Sequence, residues 1–121
     1  MFTSPIPLFA ALVVGHFLCD FPLQGPFLAI AKNRWIEAPE TKNVPWSWCM
    51  LAHVSIQAGM VWFVTGSPFC AALELIAHWI IDVEKCRGSF DFQRDEELHI
   101  MTKLVVVLIA GLTHSPTIFL R

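Results

Sequence analysis

Side chains that bind metals or transfer protons recur at helical spacing in four separate parts of the sequence. Residues three or four apart lie on one face of an α-helix, which has about 3.6 residues per turn. The four sets are His16, Asp20 and Gln24; His53 and Gln57; Glu74, His78, Asp82 and Lys85; and Asp95, His99 and Lys103. The spacing therefore predicts four helices, each with one polar face that carries one histidine.

These residue types together are typical of a metal site. Imidazole nitrogen and carboxylate oxygen are ligands that zinc, manganese and non-haem iron accept. The candidate ligands are His16, Asp20, His53, His78, Asp82, Asp95 and His99. A divalent ion bound among them would make its water a nucleophile near neutral pH. The three aspartates and Lys85 are accordingly the catalytic candidates, one aspartate serving as general base. Lys32 or Lys85 is expected to bind a phosphate as a point charge.

The segments that carry these faces are otherwise long and apolar. They span residues 5–23, 46–64, 68–83 and 98–113, near the lower end of the roughly 17–25 residues that cross a bilayer. The 121 residues are 55% hydrophobic and 15% charged, and the net charge is −2. Soluble chains carry about 25% charged residues. The composition excludes a disordered chain and a basic nucleic-acid binder. It predicts one all-α domain, an integral membrane four-helix bundle.

Loop charge predicts the orientation of this bundle. The 24–45 connection contains Lys32, Arg34 and Lys42, and the 84–97 connection contains Lys85, Arg87 and Arg94, whereas the 65–67 turn has no charge. By the positive-inside rule the charged loops are cytoplasmic in a bacterial inner membrane, and both termini lie outside. The apolar residues 27–35, with two basic residues near their end, predict a short helix along the inner interface.

This orientation brings the four histidines to one level near the cytoplasmic face. Glu74 and Lys103 fall one turn deeper at matching depth, so we expect them to form a buried ion pair. The histidines and aspartates offer more acceptors than the nearby lysines neutralise, and a bound cation would resolve this excess. The alternative is that these polar groups serve only as hydrogen-bond partners between helices.

The order of these residues resembles a known family. His16-x-x-x-Asp20-Phe21-x-x-Gln24 is followed by Lys32, His53, His78-x-x-x-Asp82-x-x-Lys85 and Asp95-x-x-x-His99. This set resembles a family of small bacterial and phage membrane proteins, the domain of unknown function 3307. One departure is Glu96, where the family usually has glutamine. The resemblance supports the choice of site residues but implies no particular reaction.

Three functions are consistent with the sequence. The leading hypothesis is a membrane-embedded, metal-dependent hydrolase that acts on a lipid headgroup or another substrate reached from the cytoplasmic leaflet. A second is a cation or proton pathway, for which chains of acidic residues and histidines are used in membranes. A third is a small non-enzymatic protein, such as a phage holin or an inhibitor of a host membrane complex. Its polar faces would mediate assembly with further copies or with another membrane protein.

Overall fold

The polypeptide is helical from near its N-terminus. The computed structural model describes Phe2 and residues 4–114, apart from the side chain of His114. Within that part of the chain there is no strand. The α-helices are α1 (Pro5–Asp20), α2 (Gly25–Ala31), α3 (Trp46–Thr65), α4 (Pro68–Arg87) and α5 (Phe92–His114), with a 3-10 turn at Pro39–Thr41. The all-helical prediction is confirmed, and a short helix does follow the first long one.

Glycines at positive φ separate the helices. Gly25, at φ 65°, opens α2 after a break that bends the α1 and α2 axes by 83°. Gly66, at φ 70°, ends α3 in the left-handed region, which glycine enters without a Cβ penalty. Ser67 then caps α4 by accepting the Cys70 N–H at 3.2 Å. The turn between α3 and α4 is consequently tight, and the two helices form an antiparallel pair.

Four helices close a ring of contacts. α1 packs against α3 and α5, and α4 packs against the same two helices. This arrangement leaves α1 diagonal to α4 across the bundle axis. The short α2 packs against α3 outside the ring. The four histidine-bearing faces can therefore meet at a common interior.

The helix ends differ from the ends of the apolar segments. α1 stops at Asp20 rather than at residue 23, and Gln24 lies in the link to α2. α4 continues past residue 83 to Arg87, while α5 begins at Phe92 rather than at residue 98. Hydropathy marks where side chains avoid water, whereas helix ends depend on caps and prolines. The C-terminal residues 115–121, predicted to face outside, lie beyond the described part.

Among the described residues, one helix is long and apolar enough by itself to cross a membrane, namely Trp46–Thr65. α1 and α2 meet the same criterion only together, across their bend. α4 and α5 contain charged residues whose hydropathy lowers the average, although several of them are buried. Length and composition thus support one predicted span, or two if the bent pair counts as one.

Many large apolar side chains lie on the outside of the bundle and many polar side chains lie in its interior, the reverse of the distribution in a water-soluble protein. Ile6, Phe63 and Leu112 are 81%, 88% and 84% exposed, whereas His16, Glu74 and Lys103 are at most 1% exposed. Apolar packing fills the half of the interior that is formed by the N-terminal part of α1 and the C-terminal part of α5. This apolar core consists of Leu8, Leu12, Val61, Cys70, Val106, Val107 and Ala110. The polar groups occupy the other half.

Gly15 allows α1 to approach α3 closely. A Cβ at Gly15 would lie 2.7 Å from Met60 Cγ, whereas a Cβ at Gly59 would meet nothing within 4 Å. Both glycines lie inside helices, where alanine is intrinsically favoured by roughly 0.5–1 kcal/mol.

We therefore expect Gly15→Ala to lower the stability of the bundle, because Met60 must be displaced, and Gly59→Ala to leave it unchanged or raise it. Overpacking of this kind costs about 1–3 kcal/mol. Thermal unfolding of both variants in one detergent, followed by circular dichroism, measures the difference. Equal or greater stability of Gly15→Ala relative to Gly59→Ala would contradict close packing at this position.

Candidate metal site

Four histidines, one from each helix of the ring, meet in the polar half of the bundle. His16, His53, His78 and His99 are each 0% exposed. Adjacent ring centroids lie 4.9 Å apart for His16 and His99, 4.0 Å for His78 and His99, and 5.0 Å for His53 and His78. The predicted convergence of the four imidazoles at one level is therefore present in the structure.

Asp20, His53 and His78 form the first group of candidate ligands, which we call the first triad. His53 Nε2 lies 3.1 Å from His78 Nε2 and 3.3 Å from Asp20 Oδ1. The remaining separation, from His78 Nε2 to Asp20 Oδ1, is 4.0 Å. A tetrahedral ion with bonds of about 2.0–2.1 Å holds its ligand atoms roughly 3.3 Å apart. Small side-chain movements would bring all three atoms to these distances.

Asp82, Asp95 and His99 form a second triad. His99 Nε2 lies 3.1 Å from Asp82 Oδ1 and 3.4 Å from Asp95 Oδ1. Asp82 also joins the two triads, because its Oδ2 lies 3.1 Å from His53 Nε2. The ligand atoms of each triad lie within 4.8 Å of one another. Either triad, or both, has the donor types and spacing for a divalent ion.

His16 contacts a carboxylate that the sequence did not identify as a ligand. Its Nε2 lies 3.2 Å from Glu96 Oε2 and 3.9 Å from Asp20 Oδ2. These three residues form another group that could hold a metal ion. The predicted polar face of α5 followed the i, i+4 spacing of Asp95 and His99, which does not include Glu96. Its position three residues before His99, on nearly the same face, was the available signal.

All three cluster lysines are paired with carboxylates. Lys103 donates to Glu74, as their matching depth predicted. Lys32 Nζ donates to Asp82 Oδ2 at 2.5 Å, and Lys85 Nζ lies 3.8 Å from Asp95 Oδ2. Lys32 and Lys85 thus contact the candidate ligands. Phosphate binding by Lys32 or Lys85 stays a prediction.

Glu74 orients His78. A carboxylate only accepts hydrogen bonds, so the 3.1 Å contact between Glu74 Oε1 and His78 Nδ1 means that Nδ1 carries the proton. In a neutral ring Nε2 is then unprotonated and faces the first triad. A carboxylate behind a ligating histidine is the usual way in which proteins hold such a ring in position. Glu74 and Lys103 thus support the site from the apolar side.

Two glutamines lie at the edges of the cluster. Gln57 Nε2 donates to Asp20 Oδ1 at 3.3 Å and lies 3.5 Å from the His16 carbonyl oxygen. Gln24, predicted as a polar site residue, lines the cavity beside the cluster, and its buried Oε1 has no hydrogen-bond partner. Gln57 therefore fixes the position of Asp20, whereas Gln24 is directed towards the cavity.

The cluster has more carboxylates than cations. The carboxylates are Asp20, Glu74, Asp82, Asp95 and Glu96, and the ammonium groups are Lys32, Lys85 and Lys103. With neutral histidines this leaves two negative charges, because among the described residues Asp20 and Glu96 have no lysine or arginine partner. The buried His16 Nδ1, His53 Nδ1 and His99 Nδ1 also lack hydrogen-bond partners. One divalent cation, or two imidazolium ions, would balance this charge.

A cavity of about 260 Å³ lies beside the cluster, at the end of the bundle where α1 is linked to α2 and α4 is linked to α5. We call this the charged end of the bundle. The walls of the cavity include Asp20, Lys32, Asp82, Lys85 and Asp95, together with the apolar Phe21 and Phe92. Carboxylates of both triads are therefore accessible from one end of the bundle.

An all-helical bundle with a buried histidine and carboxylate cluster is the class that this fold and site define. The chain matches the family described as protein of unknown function (DUF3307) over residues 8–118, and it belongs to that family. The resemblance that the residue order predicted is therefore confirmed. No curated protein and no solved structure matches the chain.

The Glu74–Lys103 pair generates a stability prediction. Lys103→Met leaves a buried carboxylate without its ammonium partner, and breaking a buried pair in this way costs about 3–5 kcal/mol. Replacing both partners, as Glu74→Gln with Lys103→Met, removes the uncompensated charge and should recover most of the loss. Lys42→Met, at an exposed position, is the matched control. Chemical unfolding in detergent checks these values, and an unchanged Lys103→Met variant would contradict the pairing.

Proposed function

We propose that this protein is an integral membrane hydrolase that depends on a divalent metal ion. The observation that carries the proposal is the buried convergence of four histidines with a net excess of carboxylates, next to a cavity that opens at one end of the bundle. Such a cluster is costly to bury unless a cation compensates it. Ionisable groups inside membrane bundles typically mark functional sites.

The inverted distribution of residues supports the membrane part of the proposal. Large apolar side chains such as Phe63 and Leu112 face outwards, and charged groups face inwards. In water this surface would be a severe aggregation hazard, whereas in lipid it is the favourable arrangement. α1, α3, α4 and α5 would cross the bilayer, with the two charged loops in the cytoplasm. α2 would lie along the inner interface, where its exposed Phe27 and Ile30 would contact lipid.

The first triad is the best candidate for the resident ion. It supplies two imidazoles and one carboxylate, a ligand set that leaves a coordination position for water. A zinc, manganese or iron ion there would supply a nucleophile from that water. Asp82 lies beside the triad, with Oδ1 at 3.6 Å from His78 Nε2. It is therefore positioned to accept a proton from a water molecule bound there.

The cavity supports a substrate that enters from the cytoplasmic side. Its volume of about 260 Å³ is below the roughly 300–1,000 Å³ of sites that enclose a drug-sized ligand. It would accommodate a headgroup or a small polar group while the rest of an amphiphile stays in the bilayer. The exposed aromatic rings of Phe21 and Phe92 at its wall suit such a substrate.

The apolar core favours hydrolysis over an ion pathway. A pathway needs polar groups that continue through the bundle, but beyond Glu74 and Lys103 the interior contains Leu12, Val61 and Val106. A non-enzymatic role in membrane assembly would require the polar groups only for packing. Metal content and hydrolysis distinguish that role from the proposal.

Membrane integration gives a first test. Because its outward surface is apolar, the protein expressed in a bacterium should stay in the membrane pellet after washing at alkaline pH and be extracted by detergent. A peripheral protein held by charge would be released by the same wash. Recovery of a monodisperse protein in the wash without detergent would refute the membrane assignment.

Metal content and activity give the main test. The protein purified in detergent should carry a divalent ion, measured by elemental analysis. It should also hydrolyse at least one member of a panel of phosphodiester and carboxylic-ester amphiphiles, with loss of activity on chelation. His78→Ala should remove the ion and the activity, because it deletes a ligand of the first triad. His114→Ala, at the opposite end of α5, is the matched control.

Three outcomes of this test oppose the proposal. Absence of a stoichiometric ion after reconstitution with zinc, manganese and iron would refute the metal site. An ion retained in His78→Ala would place it elsewhere. A metal-loaded protein that hydrolyses nothing in the panel, while the biological effect survives alanine substitution of all four histidines, would favour the assembly role.

A further inference from the structure

The two triads differ in their relation to lysine. Lys32 Nζ lies 2.5 Å from Asp82 Oδ2, and Lys85 Nζ lies 3.8 Å from Asp95 Oδ2, so both carboxylates of the second triad have an ammonium partner. Asp20, the carboxylate of the first triad, has no lysine or arginine partner among the described residues. Its neighbours are histidines, Gln57 and the carboxylate of Glu96. The carboxylate of the first triad therefore has no ammonium partner, whereas both carboxylates of the second triad have one. Lys32 binds the Asp82 oxygen that also lies 3.1 Å from His53 Nε2, so its ammonium group adjoins both triads.

A metal ion and the Lys32 ammonium compete for Asp82. The second triad requires Asp82 Oδ1, while Lys32 binds the other oxygen of the same carboxylate. An ion on Oδ1 would lie close to the ammonium group, and like charges repel strongly where little water screens them. Lys32 is only 9% exposed and Asp82 is 2% exposed, so solvent screening is small. Lys32 thus fills the role of a second cation.

The net charge agrees with this assignment. Five carboxylates and three ammonium groups leave two negative charges, which one divalent ion neutralises. Without the Lys32 ammonium, three negative charges remain, more than one divalent ion can neutralise. The charge balance therefore favours one ion when Lys32 is present and a further ion when it is absent.

Lys32 reaches the cluster from outside the helical ring. It is the C-cap residue of α2, the short helix that follows the break at Gly25 and packs against α3. The four ring helices hold all the candidate ligands. Lys32 therefore reaches Asp82 from a helix that supplies none of the ligands.

We propose that the first triad binds the resident metal ion and that the second triad is a latent second metal site, which the Lys32 ammonium group blocks. This inference rests on the proposed function, because it assumes that the cluster binds divalent ions. Withdrawal of Lys32 from Asp82 converts the centre from one ion to two. Like the resident ion, the second ion would be a hard or borderline divalent cation, since its ligands are two carboxylates and one imidazole.

The test counts manganese ions in the purified, chelator-treated protein. After equilibration with excess Mn²⁺ and removal of free ion, the wild type should retain one manganese per chain, with the spectrum of an isolated ion in electron paramagnetic resonance. Lys32→Met should retain two, with the spectrum of an exchange-coupled pair, because the Asp82 carboxylate is released. Lys32→Arg and the exposed Lys42→Met are matched controls that should retain one.

Each result decides the inference. Two ions in the wild type, or one ion in a folded Lys32→Met, would overturn it while leaving the proposed metal site standing. No ion in either protein would overturn the proposed function as well. If Lys32→Met fails to fold, Lys32→Gln, which also removes the positive charge, is counted in its place. In the wild-type background Asp95→Asn should keep the single ion and Asp20→Asn should lose it. The reverse pattern would show that the second triad holds the resident ion.

Discussion

Negative charge buried inside a bundle with an apolar outer surface is the constraint on which the rest of this structure depends. Every ring helix contributes a histidine, and each cluster lysine contacts a carboxylate. Because interior charges are stabilised only by partners, the side chains are held by one another rather than by solvent. The interhelical pairs Lys103–Glu74 and Lys32–Asp82 consequently restrict how the helices can be arranged.

The same constraint divides the bundle into two halves with different roles. In the apolar half, around Leu12 and Val106, buried apolar side chains pack against one another. The polar half combines a dense hydrogen-bonding cluster with a cavity at the charged end. Glu74 stands at the boundary, where it accepts from both His78 and Lys103. A site at this boundary adjoins the cavity on one side and is supported by packed side chains on the other.

Much of the candidate site was predictable because helical periodicity is a local property. The i, i+4 spacing of His78 and Asp82 puts both on one face in any α-helix, and the short apolar segments restrict how helices can stack. The contacts of Glu96 with His16 and of Gln57 with Asp20 were not predictable in this way. They depend on the rotation of each helix about its axis, which packing decides.

The sequence by itself determined the all-helical class, the polar face of each long helix and the pairing of Glu74 with Lys103, since residue spacing and depth suffice for these. Only the tertiary structure decided that Lys32 approaches Asp82, and that Asp20 has no lysine or arginine partner within the described part of the chain. The reason is the break at Gly25, whose direction sets where α2 ends. Long-range geometry of this kind is not encoded in local periodicity.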